Sequence, residues 1–293
     1  MMNFPTRGVR RIGINARRTT CAALALCLAV GAFPAHADLT QVRNTLVERM
    51  RANKQPFNPS SVKETLITGL YRWDQGPRTG QIYVNEAVTL MLLTDGNKIV
   101  SWEQPVRQPQ PISDSEKIEM LSEMIRNIRF DKLIHVRQGK GTNQVLLLSA
   151  FDCPVCIRFE RMMEAEGSRL DMDLYIVPST LDPDVTAKVS TVRSIWCAEN
   201  NAVVWRKTVV QGGWGYFLLP KHSCDVSMSE TRDIELLLRS VGGFKGYPYM
   251  VLGNGEMATA STDAIVFASQ LRKAAGKGFW TDPHPEKYAQ FRK

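Results

Sequence analysis

The feature that most constrains this chain is a pair of cysteines two residues apart, Cys153-Pro154-Val155-Cys156. The pair follows an apolar run typical of a strand, residues 145–148, and opens a segment that predicts a helix over residues 157–165. The N-terminus of a helix carries unpaired N–H groups and the positive end of the helix dipole, so a cysteine there has a lowered pKa and is a better nucleophile at neutral pH. Because the second cysteine lies one turn away, the arrangement is the one that thiol–disulfide exchange requires.

The first 37 residues have the pattern of a secretory signal. Five arginines without an acidic residue come first, an apolar run over residues 21–33 follows, and Ala35-His36-Ala37 is a small-residue cleavage site before Asp38. The apolar run is shorter than the roughly 20 residues that cross a bilayer. We therefore predict cleavage and a periplasmic location, with an uncleaved anchor or a lipoprotein as alternatives.

The basic charge of the chain comes largely from this signal. The whole sequence has 37 Lys and Arg against 29 Asp and Glu, a net charge of +8. Without the five arginines of the signal the balance is 32 against 29, or +3. No basic stripe remains that would indicate nucleic-acid binding, so we expect no nucleic-acid partner.

Four cysteines remain after the signal, namely Cys153, Cys156, Cys197 and Cys224. An even number in an exported protein favours disulfides. Zinc is the alternative, but zinc sites with four cysteines usually use two close pairs, whereas Cys197 and Cys224 are far apart. Because His222 lies next to Cys224 in the sequence, a zinc site with both cysteine and histidine ligands remains an alternative. We expect no cofactor and no metal, because a cysteine pair can itself carry the electrons.

Residues 38–104 are predicted to form a small α+β domain. Residues 39–52 read as a helix, and the β signal extends over residues 65–102, with strands expected at 66–71, 81–84, 88–93 and 98–100. Asp95-Gly96 predicts a hairpin turn before the last of these strands. A domain this small buries little surface alone and often gains stability by pairing.

Residues 105–131 are predicted to be a linker and a connecting helix. Pro105, Pro109 and Pro111 indicate a stiff connection, and residues 113–116 offer a capping box for the helix. Residues 132–276 are predicted to be a second domain, and residues 277–293 a C-terminal tail.

The second domain reads as a β-α-β unit followed by further helices, a hairpin and a last helix. Its second strand, residues 174–177, is expected to stop at Pro178. Helices are predicted over residues 182–241, then a strand with a turn over 251–256 and a helix over 263–275. This is the thioredoxin-like order of elements with helices inserted in the middle.

Several separate segments resemble the bacterial periplasmic DsbC/DsbG family of thiol:disulfide interchange proteins. The most specific ones are residues 151–156, 194–198, 224–226 and 246–255, joined in the first domain by 68–71 and 95–96. The resemblance covers nearly all of residues 38–275. It implies an α+β cystatin-like dimerisation domain, a linker helix and an α/β thioredoxin-like catalytic domain, here with a helical insertion.

The resemblance also implies roles for the cysteines. Cys153 would attack a substrate disulfide and form a mixed disulfide, which rearranges within the substrate or is resolved by Cys156. Pro154 suits the first helical turn, and Val155 adds no charge. Cys197 and Cys224 match the structural disulfide of the family. The alternatives are a static Cys153–Cys156 disulfide and a free, regulatory pair at Cys197 and Cys224.

Pro248 matches the cis-proline that lies beside the cysteine pair in the family. Together with Pro154 and Val155, the residues Tyr247 and Pro248 would then contact substrate, with the backbone of Tyr247 pairing with an extended segment. An ordinary trans proline at the start of a strand is the alternative. Related isomerases often have threonine where this chain has Tyr247, and the aromatic stretch over residues 212–217 and the tail also depart from the family.

As partners, the resemblance implies unfolded or misoxidised exported proteins, a membrane electron donor of the DsbD type, and a second copy of the chain in a homodimer. The activity it implies is that of a disulfide isomerase or reductase. Three other functions stay open: a chaperone that binds unfolded clients, a monomeric dithiol oxidase, and a reductase of sulfenic acids. A member specialised for one secretion or conjugation system is a further possibility.

Overall fold

The computed structural model describes residues 38–75, 81–93, 98–101, 110–111, 113, 124–212, 224–240 and 244–274. Several predicted features lie outside these residues: the signal, the Asp95-Gly96 turn, most of the linker and its capping box, the aromatic stretch from residue 213 onward, His222, and the tail. No helix in the described part of the chain has the length and apolar character needed to cross a membrane.

The N-terminal part is an antiparallel sheet of six strands with one helix against it. The helix α1 (Leu39–Ala52) has the predicted bounds, and Asp38 caps it by accepting a hydrogen bond from the Gln41 N–H at 2.8 Å. The strands are β1 (Val62–Glu64), β2 (Leu70–Asp74), β3 (Gln81–Asn85), β4 (Leu90–Leu93), β5 (Lys98–Ser101) and β6 (Gln110–Pro111). Each strand pairs with the next along the chain.

Two sequence predictions for this part need correction. The strand expected over residues 66–71 begins at Leu70, because the Thr65 hydroxyl holds a turn through the Ile67 N–H at 3.0 Å and Gly69 has a φ of +80°. Residues 110–111, assigned to the stiff linker, pair with β5. Pro111 is tolerated there because β6 is an edge strand and needs no N–H on its outer side.

The C-terminal part is a mixed sheet of five strands in the order β11-β10-β8-β9-β7. Its strands are β7 (Ile134–Gln138), β8 (Gln144–Ala150), β9 (Met172–Ser179), β10 (Tyr249–Leu252) and β11 (Met257–Thr259). The helix α2 (Pro154–Glu166) connects the parallel strands β8 and β9, and α6 (Ala264–Ala274) follows the β10–β11 hairpin. The insertion contributes α3 (Thr186–Trp196), α4 (Asn201–Val210) and α5 (Met228–Ser240). The arrangement is thioredoxin-like, as the element order predicts.

The strand β9 continues through Pro178, where the sequence predicts a stop. On one side Pro178 pairs with Ser149 of β8, but on the other side β7 reaches only Ile176. Because no strand faces Pro178 on that second side, its missing N–H removes no ladder hydrogen bond.

Among the described residues, one apolar cluster contains residues of both sheets, and a second packs α1 against the first sheet. Leu66, Ile67 and Leu92 from the N-terminal part belong to the same buried cluster as the strands β8 to β10. The indole N–H of Trp196 also donates to the Lys132 carbonyl at 2.7 Å, which ties α3 to the start of the second domain.

A buried ion pair joins the first sheet to α5. Arg72 on β2 donates from Nη1 to the two carboxylate oxygens of Asp233 at 3.0 and 2.8 Å, and the Tyr83 hydroxyl on β3 donates to the same carboxylate at 2.6 Å. Asp233 is 1% exposed and Arg72 is 7% exposed. The two parts therefore pack against each other, and the domain boundaries at residues 104 and 131 stay a prediction.

Candidate redox site

Cys153 is the N-cap residue of α2. Its backbone is extended, with φ −86° and ψ 122°, and Pro154 occupies the first helical turn, where a missing N–H is harmless. The Cys153 Sγ atom accepts a hydrogen bond from the Cys156 N–H at 3.4 Å. The strand β8 ends at Ala150, whose carbonyl accepts from the Cys153 N–H at 3.2 Å. The sulfur is thus held at the positive end of the helix.

The pKa of Cys153 is lowered to about 6. The largest cause is the hydrogen bond from the Cys156 side chain, and the backbone N–H groups of Cys156 and Val155 add to it. Burial and the negative charge of Asp152 act in the opposite direction. Cys153 is therefore largely a thiolate at neutral pH, the form that attacks disulfides.

Cys156 has the opposite character. It is fully buried, and burial followed by its hydrogen bond to Cys153 raises the pKa of its thiol. Both cysteines are free thiols in this structure. The difference in pKa separates an attacking sulfur, Cys153, from a protonated partner, Cys156.

Alkylation of the reduced protein should therefore depend on pH with a midpoint near 6 at Cys153, compared with about 8.5 for an ordinary cysteine. The measurement is the rate of iodoacetamide labelling between pH 4 and 9, with the modified residue identified by mass spectrometry. In Cys156→Ala the midpoint should rise, because the largest cause of the lowered pKa is removed. A wild-type midpoint near 8.5 would contradict this reading of the site.

The peptide bond between Tyr247 and Pro248 is cis and lies beside the cysteine pair. The Tyr247 carbonyl oxygen is 3.8 Å from Cys153 Sγ, and the tyrosine packs against the buried cluster formed by Ala150 and the two cysteines. Its hydroxyl forms a hydrogen bond with the Ser179 hydroxyl at 2.7 Å. The tyrosine that departs from the family pattern thus anchors this loop to the end of β9.

Pro154 and Val155 lie between the two cysteines, where the sequence predicts contact with substrate. Pro154 is exposed, and Val155 is half-buried against the cysteine cluster. The structure therefore brings together the six residues predicted to form the redox and substrate site: Cys153, Pro154, Val155, Cys156, Tyr247 and Pro248.

Asp152 is a part of the site that the sequence analysis did not identify. Its carboxylate accepts hydrogen bonds from the Thr180 hydroxyl and the Leu181 N–H, both at 2.8 Å, and pairs with Lys188 at 2.8 Å. These contacts hold the loop after β9 against the cysteine pair. The partners are 28 or more residues away in sequence, so no local pattern indicated them.

The structure places a disulfide between Cys197 and Cys224, the pair that the resemblance implies, with a Cα–Cα distance of 5.5 Å. It links the end of α3 to the segment before α5. Because both sulfurs are bonded to each other, neither is a zinc ligand, and the described residues contain no group of three or more His, Cys, Asp or Glu that could hold a metal ion. In the chain-entropy model, closing such a loop stabilises the protein by about 3 kcal/mol.

No protein-family model matches the chain. Among curated proteins, a probable thiol:disulfide interchange protein DsbC from Bordetella pertussis is 26% identical over 165 residues, which cover 56% of this chain and 54% of the relative. A probable DsbC from Bordetella bronchiseptica is also 26% identical, over 170 residues. The chain spans about half the length of the curated relatives it matches.

Two solved structures are also similar. A disulfide interchange protein from Neisseria gonorrhoeae is 23% identical, with a TM-score of 0.41, over 50% of this chain and 96% of the other. Helicobacter pylori DsbG is 12% identical, with a TM-score of 0.33, over 66% of this chain and 93% of the other. Both TM-scores are low, so the similarity to thiol:disulfide interchange proteins rests on the curated relatives. With a cysteine pair at the start of α2, the chain is similar over about half its length to the thiol:disulfide interchange proteins named DsbC.

Proposed function

We propose that this protein isomerises or reduces incorrect disulfides in exported proteins. The observation that carries the proposal is the contrast within the cysteine pair. Cys153 is a thiolate at a helix N-terminus beside a cis-proline, and Cys156 is a buried, protonated thiol one turn later. This is the combination of a nucleophile and a resolving group that disulfide exchange needs.

The first step is attack by the Cys153 thiolate on a substrate disulfide. A bond forms between Cys153 and one substrate sulfur, the substrate disulfide breaks, and the other substrate sulfur leaves as a thiolate. In isomerisation, the substrate then re-forms a different internal disulfide and expels the Cys153 thiolate, so no electrons are transferred overall.

Reduction follows from the same intermediate. Cys156 loses its proton and attacks Cys153, which releases the substrate as a dithiol and leaves a Cys153–Cys156 disulfide. Two electrons have then passed to the substrate. An external dithiol, which the resemblance assigns to a membrane donor of the DsbD type, would restore the reduced pair.

The surface beside Cys153 supports the proposal that the clients are unfolded proteins. Leu181 and Val185 are 48% and 45% exposed, and Leu181 lies on the loop that Asp152 holds against the cysteine pair. Exposed apolar side chains at this place suit the extended apolar segments of an unfolded chain. The same observation favours the second candidate function, a chaperone that binds such segments.

The remaining parts of the proposal come from the resemblance and the predicted signal. They are a periplasmic location, a homodimer formed through a cystatin-like N-terminal domain, and contact of clients with Pro154, Val155, Tyr247 and Pro248. In a homodimer, the two redox sites would face a shared cleft.

The test is the recovery of activity by a scrambled protein with several disulfides, with the reduced protein in catalytic amounts. Recovery above the rate with glutathione alone is the expected result. Reduction of the client without recovery of its activity would support a dedicated reductase instead. Suppression of aggregation by a Cys153→Ala, Cys156→Ala variant, without recovery by the wild type, would support the chaperone.

A further inference from the structure

Lys188 occupies a position of α3 that a lysine does not favour. It lies in the first turn of that helix, which contains no acidic residue. Because the first turn carries the positive end of the helix dipole, a positive side chain is unfavourable there. The side chain is also only 25% exposed, so it does not simply extend into water. The position therefore needs an explanation from outside the helix.

Two carboxylates outside α3 supply that explanation. The Lys188 Nζ atom is 2.8 Å from an oxygen of Asp152 and also pairs with Asp182. The hydrogen bonds to Asp152 and Asp182 raise the pKa of Lys188, so the lysine stays charged. Asp152 also accepts hydrogen bonds from the Thr180 hydroxyl and the Leu181 N–H, and its side chain is 14% exposed. Contacts from α3 and from the loop after β9 thus hold one carboxylate in place.

That carboxylate belongs to the residue just before Cys153. Neighbouring Cα atoms are about 3.8 Å apart, so the charge of Asp152 lies within about 10 Å of the Cys153 sulfur. The other titratable side chains beside Cys153 are Cys156, which is protonated, and Tyr247, since a tyrosine hydroxyl ordinarily ionises at about pH 10. Asp152 therefore brings a negative charge to the site, and this charge opposes the Cys156 hydrogen bond that lowers the pKa of Cys153.

We propose that Lys188 is a positioning residue of the redox site, which fixes the Asp152 carboxylate and offsets its negative charge next to Cys153. This proposal rests on the proposed thiol–disulfide function. An ammonium group in contact with a carboxylate cancels much of the field of that carboxylate beyond the pair, so the Cys153 thiolate meets less repulsion. Lys188 thus favours the reactive form of Cys153 by acting through Asp152.

The first test is the pH dependence of iodoacetamide labelling of Cys153 in the reduced mature protein at low ionic strength. One unit charge at about 7 Å in a water-like dielectric changes an equilibrium about threefold. In Lys188→Met the labelling midpoint should therefore rise by about half a pH unit. Lys188→Arg, which keeps the charge, should restore the wild-type midpoint. The difference between Lys188→Met and the wild type should shrink in about 1 M sodium chloride, because salt screens the charge of Asp152.

The second test is the equilibrium of the cysteine pair with glutathione at neutral pH. In this exchange the reduced pair becomes the Cys153–Cys156 disulfide, and its two electrons convert glutathione disulfide into two molecules of glutathione. A stabilised thiolate favours the reduced pair and makes the protein a stronger oxidant. The equilibrium constant for Lys188→Met should therefore shift about threefold toward the oxidised protein.

Two further variants separate the action through Asp152 from other effects. In an Asp152→Asn background, Lys188→Met should raise the midpoint much less, because the charge that Lys188 offsets is gone. Lys207→Met is the matched control, since it removes the same charge from an exposed position of the neighbouring helix α4. Its midpoint should equal that of the wild type.

An unchanged midpoint in Lys188→Met would overturn the proposal, and so would an equal rise in the Asp152→Asn background. Reduced stability to urea with an unchanged midpoint would show that the ion pair only holds the loop in place, which also overturns it. Because alkylation requires no client protein, these outcomes do not depend on whether the protein isomerises disulfides. Failure to reactivate a scrambled protein would count against the proposed function alone.

Discussion

Replacing Cys153 with alanine is expected to abolish the recovery of a scrambled protein, leaving only the rate given by glutathione. Cys153 is the sulfur with the lowered pKa, whereas Cys156 is fully buried and protonated. No other free cysteine is found among the described residues, so no second thiol replaces the lost nucleophile there. The loss should therefore be complete at every pH at which the wild type is active.

Cys156→Ala is the matched comparison, because it removes the other sulfur and leaves the nucleophile. This variant should retain part of the isomerisation, which needs only Cys153, but it should lose net reduction and accumulate mixed disulfides with clients. Non-reducing electrophoresis and mass spectrometry detect those mixed disulfides. Activity retained by Cys153→Ala, or clients attached to Cys156, would reverse the assignment of the two sulfurs.

Replacing Arg72 with methionine is expected to reduce the free energy of unfolding by about 3 kcal/mol at neutral pH. The change leaves the Asp233 carboxylate buried and without its positive partner, and removing one member of a buried ion pair typically costs about 3–5 kcal/mol. Urea unfolding of the reduced mature protein measures the effect. Arg51→Met, at an exposed position of α1, should change the stability little.

The loss of stability caused by Arg72→Met should increase as the pH rises. Burial raises the pKa of Asp233 to about 6, and Arg72 is the first of the groups that oppose this rise. A carboxyl with a raised pKa stabilises the fold below its ordinary pKa, and this contribution is lost as the pH increases through the folded-state value. Without Arg72 the folded-state pKa of Asp233 is higher still, so the loss of stability extends to higher pH.

Adding Asp233→Asn to Arg72→Met should remove this extra pH dependence, because the buried group can then no longer ionise. Equal stability of Arg72→Met and the wild type from pH 5 to pH 8 would show that the ion pair does not hold the two parts together.

The features that the sequence predicted well are those encoded over short distances. A strand, two cysteines and a helix follow one another within about 20 residues, and capping by Cys153 needs only the residues next to it. The helix α1 was predicted with its observed bounds because its apolar spacing and its cap are both local. The position of Pro248 came from the resemblance, since nothing local distinguishes a cis from a trans proline.

The features that the sequence analysis missed depend on residues far apart in the chain. Arg72 and Asp233 are separated by 161 positions, and neither stands out within its own element. Pro111 looked like part of a linker because proline is rare in strands, and only the pairing with β5 shows that it belongs to an edge.

The burial of Cys153 has a consequence for which proteins can react at all. The nucleophile is only 5% exposed, so its sulfur lies slightly below the surface of the molecule. Exchange requires the attacking sulfur to approach in line with the S–S bond of the substrate. A disulfide buried inside a folded protein cannot reach a recessed sulfur in this geometry, whereas a disulfide on a flexible segment can. Under the proposed function, the recessed sulfur would therefore select for chain flexibility, favouring disulfides of incompletely folded proteins over those buried in folded ones.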